Sequence, residues 1–563
     1  MMKTAVLSFV LILSGWITYA QQPDSLWLGQ HIDSIISRSL PANAPGGAIA
    51  IVSADKVLYE KAFGLMSLEY HLPNTDSTLF NLASVSKHFT AYCILLLEKD
   101  GMLNLNDDVR KYLPWLPDYR EIVTIGDLVH HTSGIASSDN LRLFAGLPIE
   151  APWDAEDEME MIARYKQLNY KPNSEGNYSN TGYYLLAKVI EKASGMSFSE
   201  FLTQRVLEPL GMKETVLYDS PGKIIPGKAT GYKRKNDDYM RMNTEGESVY
   251  GSTNLYASVH DMVIWMQHLL NSSPGNQELT TRFFSRSHYL NNGDIMNYSF
   301  GLNLRKFKDM NMADHSGYAM GFRSQLMIFP NKQLAIIILT NNESIDNWSL
   351  ATNVADLYFD RHIAPAHISE KKEIKLPEHI LQNYAGNYRL TNGMELNFEL
   401  KNDTFLLVMP GQPKYIMHAA SETDFFVNEF DMKCSFQMGS DGESSEIIWK
   451  ERNRTPKGVK KAGVNNISAS ELAKYSGNYF NSPLDITYPV MMRKNQLIMQ
   501  IPKSFQSFMG IDRDMVLEYM GNDKFLTESL GIIQFTRDHN RSITGFRIVD
   551  FGRVKNIRFV KRG

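Results

Sequence analysis

Only two cysteines, Cys93 and Cys434, occur in 563 residues, too few for a disulfide framework. Cys93 falls inside an apolar segment and Cys434 in a distant C-terminal one, so both read as buried free thiols. That disfavours thiol catalysis and a zinc–cysteine centre. His-Glu-x-x-His and Gly-x-Ser-x-Gly are both missing, which removes the commonest zinc-protease and α/β-hydrolase signatures. Neither sign of charge dominates: 58 basic and 62 acidic side chains leave a formal charge of -4, so no nucleic-acid partner is indicated. Long apolar runs are absent as well, and the N-terminal stretch 5–13 is too short to span a bilayer. With Lys3 before it and Thr18-Tyr19-Ala20 ahead of Gln21, it reads as a signal peptide, residues 1–20, cleaved after Ala20. The residue right after that point is Gln21 and not a cysteine, so no lipid or other stable membrane anchor is expected, and the mature chain is expected in the periplasm or the medium.

What the chain does contain is 43% hydrophobic and 21% charged residues, a globular composition in a length that suggests roughly three or four domains. Three short elements stand out in order: Ser84-Val85-Ser86-Lys87, Tyr178-Ser179-Asn180 and His315-Ser316-Gly317. Together they outline a serine acyl-transfer site that uses lysine and tyrosine. Each alone is common. Ser53/Lys56, Ser220/Lys223 and Ser369/Lys372 share the serine–lysine spacing, and Tyr289-Leu290-Asn291 and Tyr479-Phe480-Asn481 share the tyrosine–asparagine spacing. Context separates them. Ser53/Lys56 lies between apolar runs as a hairpin turn, Ser220 precedes Pro221-Gly222, and Ser369 sits in a charged stretch.

Ser84 instead opens an apolar segment, 88–100, that stops at Gly101, the pattern of a buried helix with a glycine C-cap. Residues three apart at a helix start share a face, so the Ser84 hydroxyl and Lys87 amine can meet. A capping serine and a solvated lysine fit this element equally well taken alone. Tyr178 and Asn180 lie in a turn-rich loop, 172–183, running into an apolar helix over 184–193. There too a turn tyrosine and a capping asparagine suffice until the other elements are considered. Serine needs a base, and a lysine with pKa near 10.4 becomes one at neutral pH only if burial or a second cation lowers it.

An amphipathic helix over 25–39, a hairpin over 48–63, mainly helical material, a strand pair over 321–329 and 333–339, and a last helix over 345–361 indicate an α+β layout. One antiparallel sheet would carry the first and last helices on one side, with the site between the sheet and the helical insertion. Past residue 362, Pro365, Pro377 and the charge run 369–373 read as a linker. Beyond it Leu381-x-x-Tyr384-x-Gly386-Asn387-Tyr388 recurs 91 residues on as Leu472-x-x-Tyr475-x-Gly477-Asn478-Tyr479. Short alternating stretches follow each copy, so two small antiparallel β-barrel-like units are expected, with their tyrosines in the cores.

Over residues 30–360 the chain resembles the serine β-lactamase and penicillin-binding-protein superfamily, specifically the class C-like branch with D-aminopeptidases, DD-carboxypeptidases and esterases. Supporting stretches are Pro45-Gly46-Gly47, His131-Thr132-Ser133-Gly134, Gly251-Ser252-Thr253-Asn254 and Tyr298-Ser299-Phe300-Gly301. The resemblance implies a β-lactamase-like domain over 21–362, a linker over 363–376, and barrel-like units over 377–462 and 467–563. It implies an acyl-enzyme on Ser84, with Lys87 and Tyr178 relaying the proton. Asn180 would hold Lys87 and the substrate amide, and His315, Ser316 and Gly317 would line the substrate. The backbone N–H groups of Ser84 and Tyr318 would form the oxyanion hole. No cofactor or metal is implied.

The third element departs from the Lys-Thr-Gly of efficient β-lactamases. An unperturbed histidine is only roughly a quarter protonated at pH 7, so His315 is expected to bind a carboxylate weakly. The expected substrates are therefore peptides or amides beside a D-amino acid, or small esters, peptidoglycan fragments among them. β-Lactam or DD-carboxypeptide hydrolysis, and a sensor that acylates without turnover, are the alternatives.

Overall fold

The computed structural model describes residues 25–360 and 373–562 except 42, 149–150, 236–237, 243–245, 272–276, 391–393, 402, 410–413, 428–431, 439–443, 452–456, 461–466, 510, 512 and 528. The expected signal peptide, the expected linker up to residue 372 and the Ser369/Lys372 pair lie outside the described residues.

Gly47–Ser53 and Leu334–Thr340 are almost wholly apolar, and they pair in antiparallel register from Gly47 opposite Thr340 to Ser53 opposite Leu334. Continuous apolar runs of this kind mark strands covered on both faces. Period-two alternation sends Ile49, Ile51, Ile336 and Ile338 to one face, where Leu28, Ile32 and Val354 from helices Ser25–Ser39 and Asn347–Phe359 cover them. Ala48, Ala50, Ile337 and Leu339 face the helical region instead. Seven antiparallel strands complete the sheet in the order Tyr298–Ser299, Leu302–Phe307, Met310–Ala319, Phe322–Phe329, Leu334–Thr340, Gly47–Ser53, Val57–Phe63. The expected hairpin, strand pair and flanking helices are all present, and the α+β class holds.

Mainly helical material is expected before residue 321, with a sheet edge only at 315–317 as the resemblance implies, yet 302–319 forms two paired strands. Their alternation is diluted by Asn303, Arg305, Lys306 and Asn311, and tertiary pairing decides the outcome.

The two tyrosine repeats fold alike. In each a short helix leads through a positive-φ glycine (Gly386, φ 139°; Gly477, φ 152°) into a strand, and a lysine side chain, Lys460 or Lys561, crosses the space a Cβ would fill. Tyr388 donates to the Tyr384 carbonyl at 3.1 Å and Tyr479 to the Tyr475 carbonyl at 2.6 Å, and all four rings are buried as expected. The first unit is a nine-stranded antiparallel sheet whose edge strands, Tyr415–Ile416 and His418–Ala419, are separated by Met417 alone, so it curls back on itself. Ile374 and Leu376, late in the expected linker, pack on its core. The second is a closed eight-stranded barrel over 477–562. Its core merges with that of the N-terminal region, whereas the first unit keeps a core of its own.

Candidate active site

Ser84 lies in a 3₁₀ turn, Ala83–Ser86, that leads into the buried helix Lys87–Lys99. In that geometry side chains three apart eclipse, which sets the Lys87 Nζ 3.2 Å from Ser84 Oγ. The turn is pinned on several sides. Ala83 N–H donates to Asn81 Oδ1 at 2.8 Å, Leu82 N–H to the Leu255 carbonyl at 2.8 Å, and Ser324 Oγ to the Leu82 carbonyl at 2.7 Å. Ala83 itself is held at φ 48°, a strained value for a residue with a Cβ and one that the surrounding bonds must sustain. The helix ends as read: Gly101 (φ 71°) follows, and Met102 N–H reaches back to the Leu97 carbonyl at 2.9 Å.

Lys87 has no exposed surface. Besides Ser84 it donates to Asn180 Oδ1 and to the Ser252 carbonyl, both at 2.8 Å, and its Nζ sits 4.8 Å from the Tyr178 ring centre. Burial first, and the nearby Arg553 charge second, hold its pKa well below the usual lysine value, while Asp139 pulls the other way. Tyr178 is pushed up to about 12, chiefly by burial. Ser84 stands near enough to favour the Tyr178 phenolate, yet the phenol oxygen forms no complete hydrogen bond in the resting site.

Tyr178 and Asn180 come from the loop that the sequence marks, and Asn180 opens helix Asn180–Ser194 with Ser179 as N-cap. The loop is laid on the His131-Thr132-Ser133-Gly134 stretch. Asn177 N–H donates to the His131 carbonyl, Asn173 N–H to the Thr132 carbonyl and Ser179 N–H to His131 Nδ1. That last bond needs an unprotonated Nδ1, and burial keeps the His131 pKa well below normal.

His315 lies on the strand Met310–Ala319, whose first half pairs with Leu302–Phe307 and whose second half keeps only Phe322–Phe329. The unpaired edge of 315–319 meets the Ser84 turn. A Cβ on Gly317 would fall 2.4 Å from the Leu82 carbonyl oxygen and 2.9 Å from Ala83 Cβ, so glycine permits the approach. His315 is buried, with Nε2 3.0 Å from the Tyr298 hydroxyl and Nδ1 2.8 Å from the Ser316 carbonyl. Burial, then the His88 and Lys87 charges, depress its pKa well below the ordinary histidine value. The imidazole is thus neutral at pH 7, even less cationic than an unperturbed one. Ser316 and Tyr318 side chains turn outward.

The look-alike pairs fall elsewhere. Ser53 and Lys56 close a hairpin, Lys223 caps its own turn on the Leu217 carbonyl, Tyr289 is 58% exposed, and Tyr479 is core of the C-terminal barrel. Three participants were not singled out from sequence. The Ser252 carbonyl belongs to the Gly251-Ser252-Thr253-Asn254 stretch, but carbonyls leave no sequence signal. Asp139 accepts from Asn180 Nδ2 at 2.7 Å. Arg553, from the C-terminal barrel, lies 4.8 Å over the Tyr178 ring.

Behind Asp139 a buried carboxyl ties the layer together: Glu158 accepts from Trp153 Nε1 at 2.9 Å and from Ser138 Oγ, and Ser138 N–H donates to Thr181 at 2.9 Å. Segment 137–140 is thereby fixed against the start of the Asn180 helix.

The Beta-lactamase family model matches residues 32–356, and a domain of unknown function, DUF3471, matches residues 370–459. Penicillin-binding protein 4* of Bacillus subtilis (strain 168) is 28% identical over 446 residues, covering 75% of this chain and 96% of that protein. The D-aminopeptidase of Brucella anthropi is 28% identical over 309 residues, 54% of this chain and 58% of its own length. Among solved structures, an octameric penicillin-binding protein homologue from Pyrococcus abyssi superposes with a TM-score of 0.54 at 22% identity, over 78% of this chain and all of that one. EstCE1, a hydrolase with promiscuous acyltransferase activity, superposes with a TM-score of 0.51 at 18% identity, over 59% of this chain and 99% of that one. The family match spans more than half the chain and contains the Ser84, Tyr178 and His315 elements: this protein belongs to the Beta-lactamase family and is a serine hydrolase of the β-lactamase and penicillin-binding-protein superfamily.

Proposed function

We propose that the protein is an exported hydrolase, working in the periplasm or outside the cell through an acyl-enzyme on Ser84, that cleaves peptide or amide bonds beside a D-amino acid or small esters. The observation that carries the reading is the buried Lys87 amine, 3.2 Å from Ser84 Oγ with its pKa well below normal. Lys87 therefore takes the serine proton. Tyr178, pushed up to about 12, stays protonated at neutral pH and passes a proton to the leaving group in concert with Lys87. Water then attacks the acyl-enzyme with the same pair in reverse. Asn180 holds Lys87 and offers the substrate amide a contact, while the N–H groups of Ser84 and Tyr318 receive the developing oxyanion. His315, Ser316 and Gly317 form the strand wall along which the substrate lies. The neutral His315 supports amide and ester substrates over β-lactams.

The test is turnover of D-alanyl and L-alanyl anilides, a short acyl ester and a chromogenic cephalosporin by wild type and Ser84→Ala. Wild type should favour the D-anilide or the ester, and the variant should lose roughly 10³-fold or more. Stoichiometric acylation without release would make it a sensor, fastest turnover of the cephalosporin a β-lactamase, and full activity in Ser84→Ala would remove the nucleophile assignment.

A further inference from the structure

The strands Ile543–Phe551 and Val554–Arg562 of the C-terminal barrel are joined by a two-residue turn, Gly552-Arg553, with Gly552 at φ 61°. That tip is built into the catalytic region. Asn169 Nδ2 donates to the Arg553 carbonyl at 2.9 Å and Asn177 Nδ2 to the Gly552 carbonyl at 2.8 Å. Lys555 N–H donates to Asn169 Oδ1 at 2.8 Å, and Lys555 Nζ reaches Glu175 at 2.6 Å. The backbone of the turn is therefore fixed to the loop that carries Tyr178 and Asn180.

Its side chain is not fixed in the same way. The Arg553 guanidinium stacks over Tyr178, remains 41% exposed, and approaches Asp139 only to 3.6 Å, beyond hydrogen-bond length. Asp139 is already bonded to Asn180. Of the other basic groups near Ser84, Lys87 is buried and already bonded to Ser84, Asn180 and the Ser252 carbonyl, and His315 is neutral. A planar fork of donors, permanently charged, part-exposed and lying 4.8 Å over the ring of Tyr178 beside Lys87, suits a carboxylate.

We propose that Arg553 is the anionic-group anchor of this hydrolase: it binds a carboxylate that the substrate carries beyond the scissile bond. In the resting enzyme Asp139 holds the guanidinium loosely in place, and a substrate carboxylate takes over as its partner. This rests on the assignment of Ser84 as nucleophile.

The experiment compares two aryl esters of N-acetyl-D-alanine that differ only in the leaving ring, m-carboxyphenyl against m-carbamoylphenyl, with full-length wild type, Arg553→Gln and Arg553→Lys. Their kcat/KM ratio cancels any loss that Arg553 causes through the Lys87 pKa. Wild type should prefer the carboxylate ester, and Arg553→Gln should cut that preference roughly 10- to 100-fold, with Arg553→Lys between. Raised salt should shrink the wild-type preference and leave that of Arg553→Gln unmoved. An unchanged ratio in Arg553→Gln, with Ser84 still labelled by a phosphonate, overturns the anchor and leaves the hydrolase reading intact. Failure of wild type to cleave either ester or to be labelled overturns both.

Discussion

At Lys87 three oxygens, Ser84 Oγ, Asn180 Oδ1 and the Ser252 carbonyl, converge on one buried amine, and two opposite charges bear on it from outside. Burial does most to lower the Lys87 pKa; on top of it Arg553 favours the neutral amine and Asp139 the ammonium, so a pair drawn from different parts of the chain tunes its base strength. The sign of a charge change follows. With Lys87 as the base proposed above, the active fraction grows as pH rises through its pKa, and that titration forms the acid limb of the kcat/KM profile. Asp139→Asn keeps an acceptor for Asn180 Nδ2 and removes the anion that raises Lys87. Its acid limb should therefore move to lower pH. A limb that stays in place or moves up in the pH–rate profile would show that Asp139 does not act on Lys87 through charge.

Among the elements, the strand Met310–Ala319 bears most directly on the site, because its unpaired half is pressed against the turn that carries Ser84. Gly317 is the contact point. Gly317→Ala should push strand and turn apart, with a stability loss of about 1–3 kcal/mol. The loss in kcat/KM should be larger, roughly 100-fold, because the geometry around Ser84 shifts. Denaturant melts beside kcat/KM measure both, and a variant that is destabilised yet fully active would mean that the approach serves folding alone. Legibility follows the same physics. Ser84, Lys87, Tyr178 and Asn180 could be read because each sits in a local context, a helix start or a turn-rich loop, that sequence pattern exposes. The strand over 302–307 was hidden because Asn303, Arg305 and Lys306 obscure its alternation. Asp139 and Arg553 were invisible for another reason. Their places depend on how the barrel docks, and no local pattern encodes that.

For the whole molecule, the repeat in the sequence suggests two equivalent C-terminal units, and their tyrosine motifs are indeed equivalent, but their attachments differ. The unit over 373–460 has a separate core, while the last barrel shares one with the N-terminal region. At the junction Phe144 packs against Phe505 and Phe551, with ring centres 5.1 and 4.8 Å away, and Tyr488 donates to the Phe144 carbonyl at 3.0 Å. Ser504 donates to the Gly146 carbonyl nearby at 2.8 Å. Residues that share a packed core unfold together, so the hydrolase region and the last barrel should form one cooperative unit and the middle sheet another. Phe551→Ala removes a fully buried ring from the shared interface, at a cost of about 3–5 kcal/mol. In calorimetry it should lower the transition that carries both the hydrolase region and the last barrel and leave the middle sheet's transition where it was. Thermal inactivation of ester hydrolysis should follow the lowered transition. If activity instead survives to the wild-type temperature while a smaller transition moves, the barrel melts independently of the catalytic region.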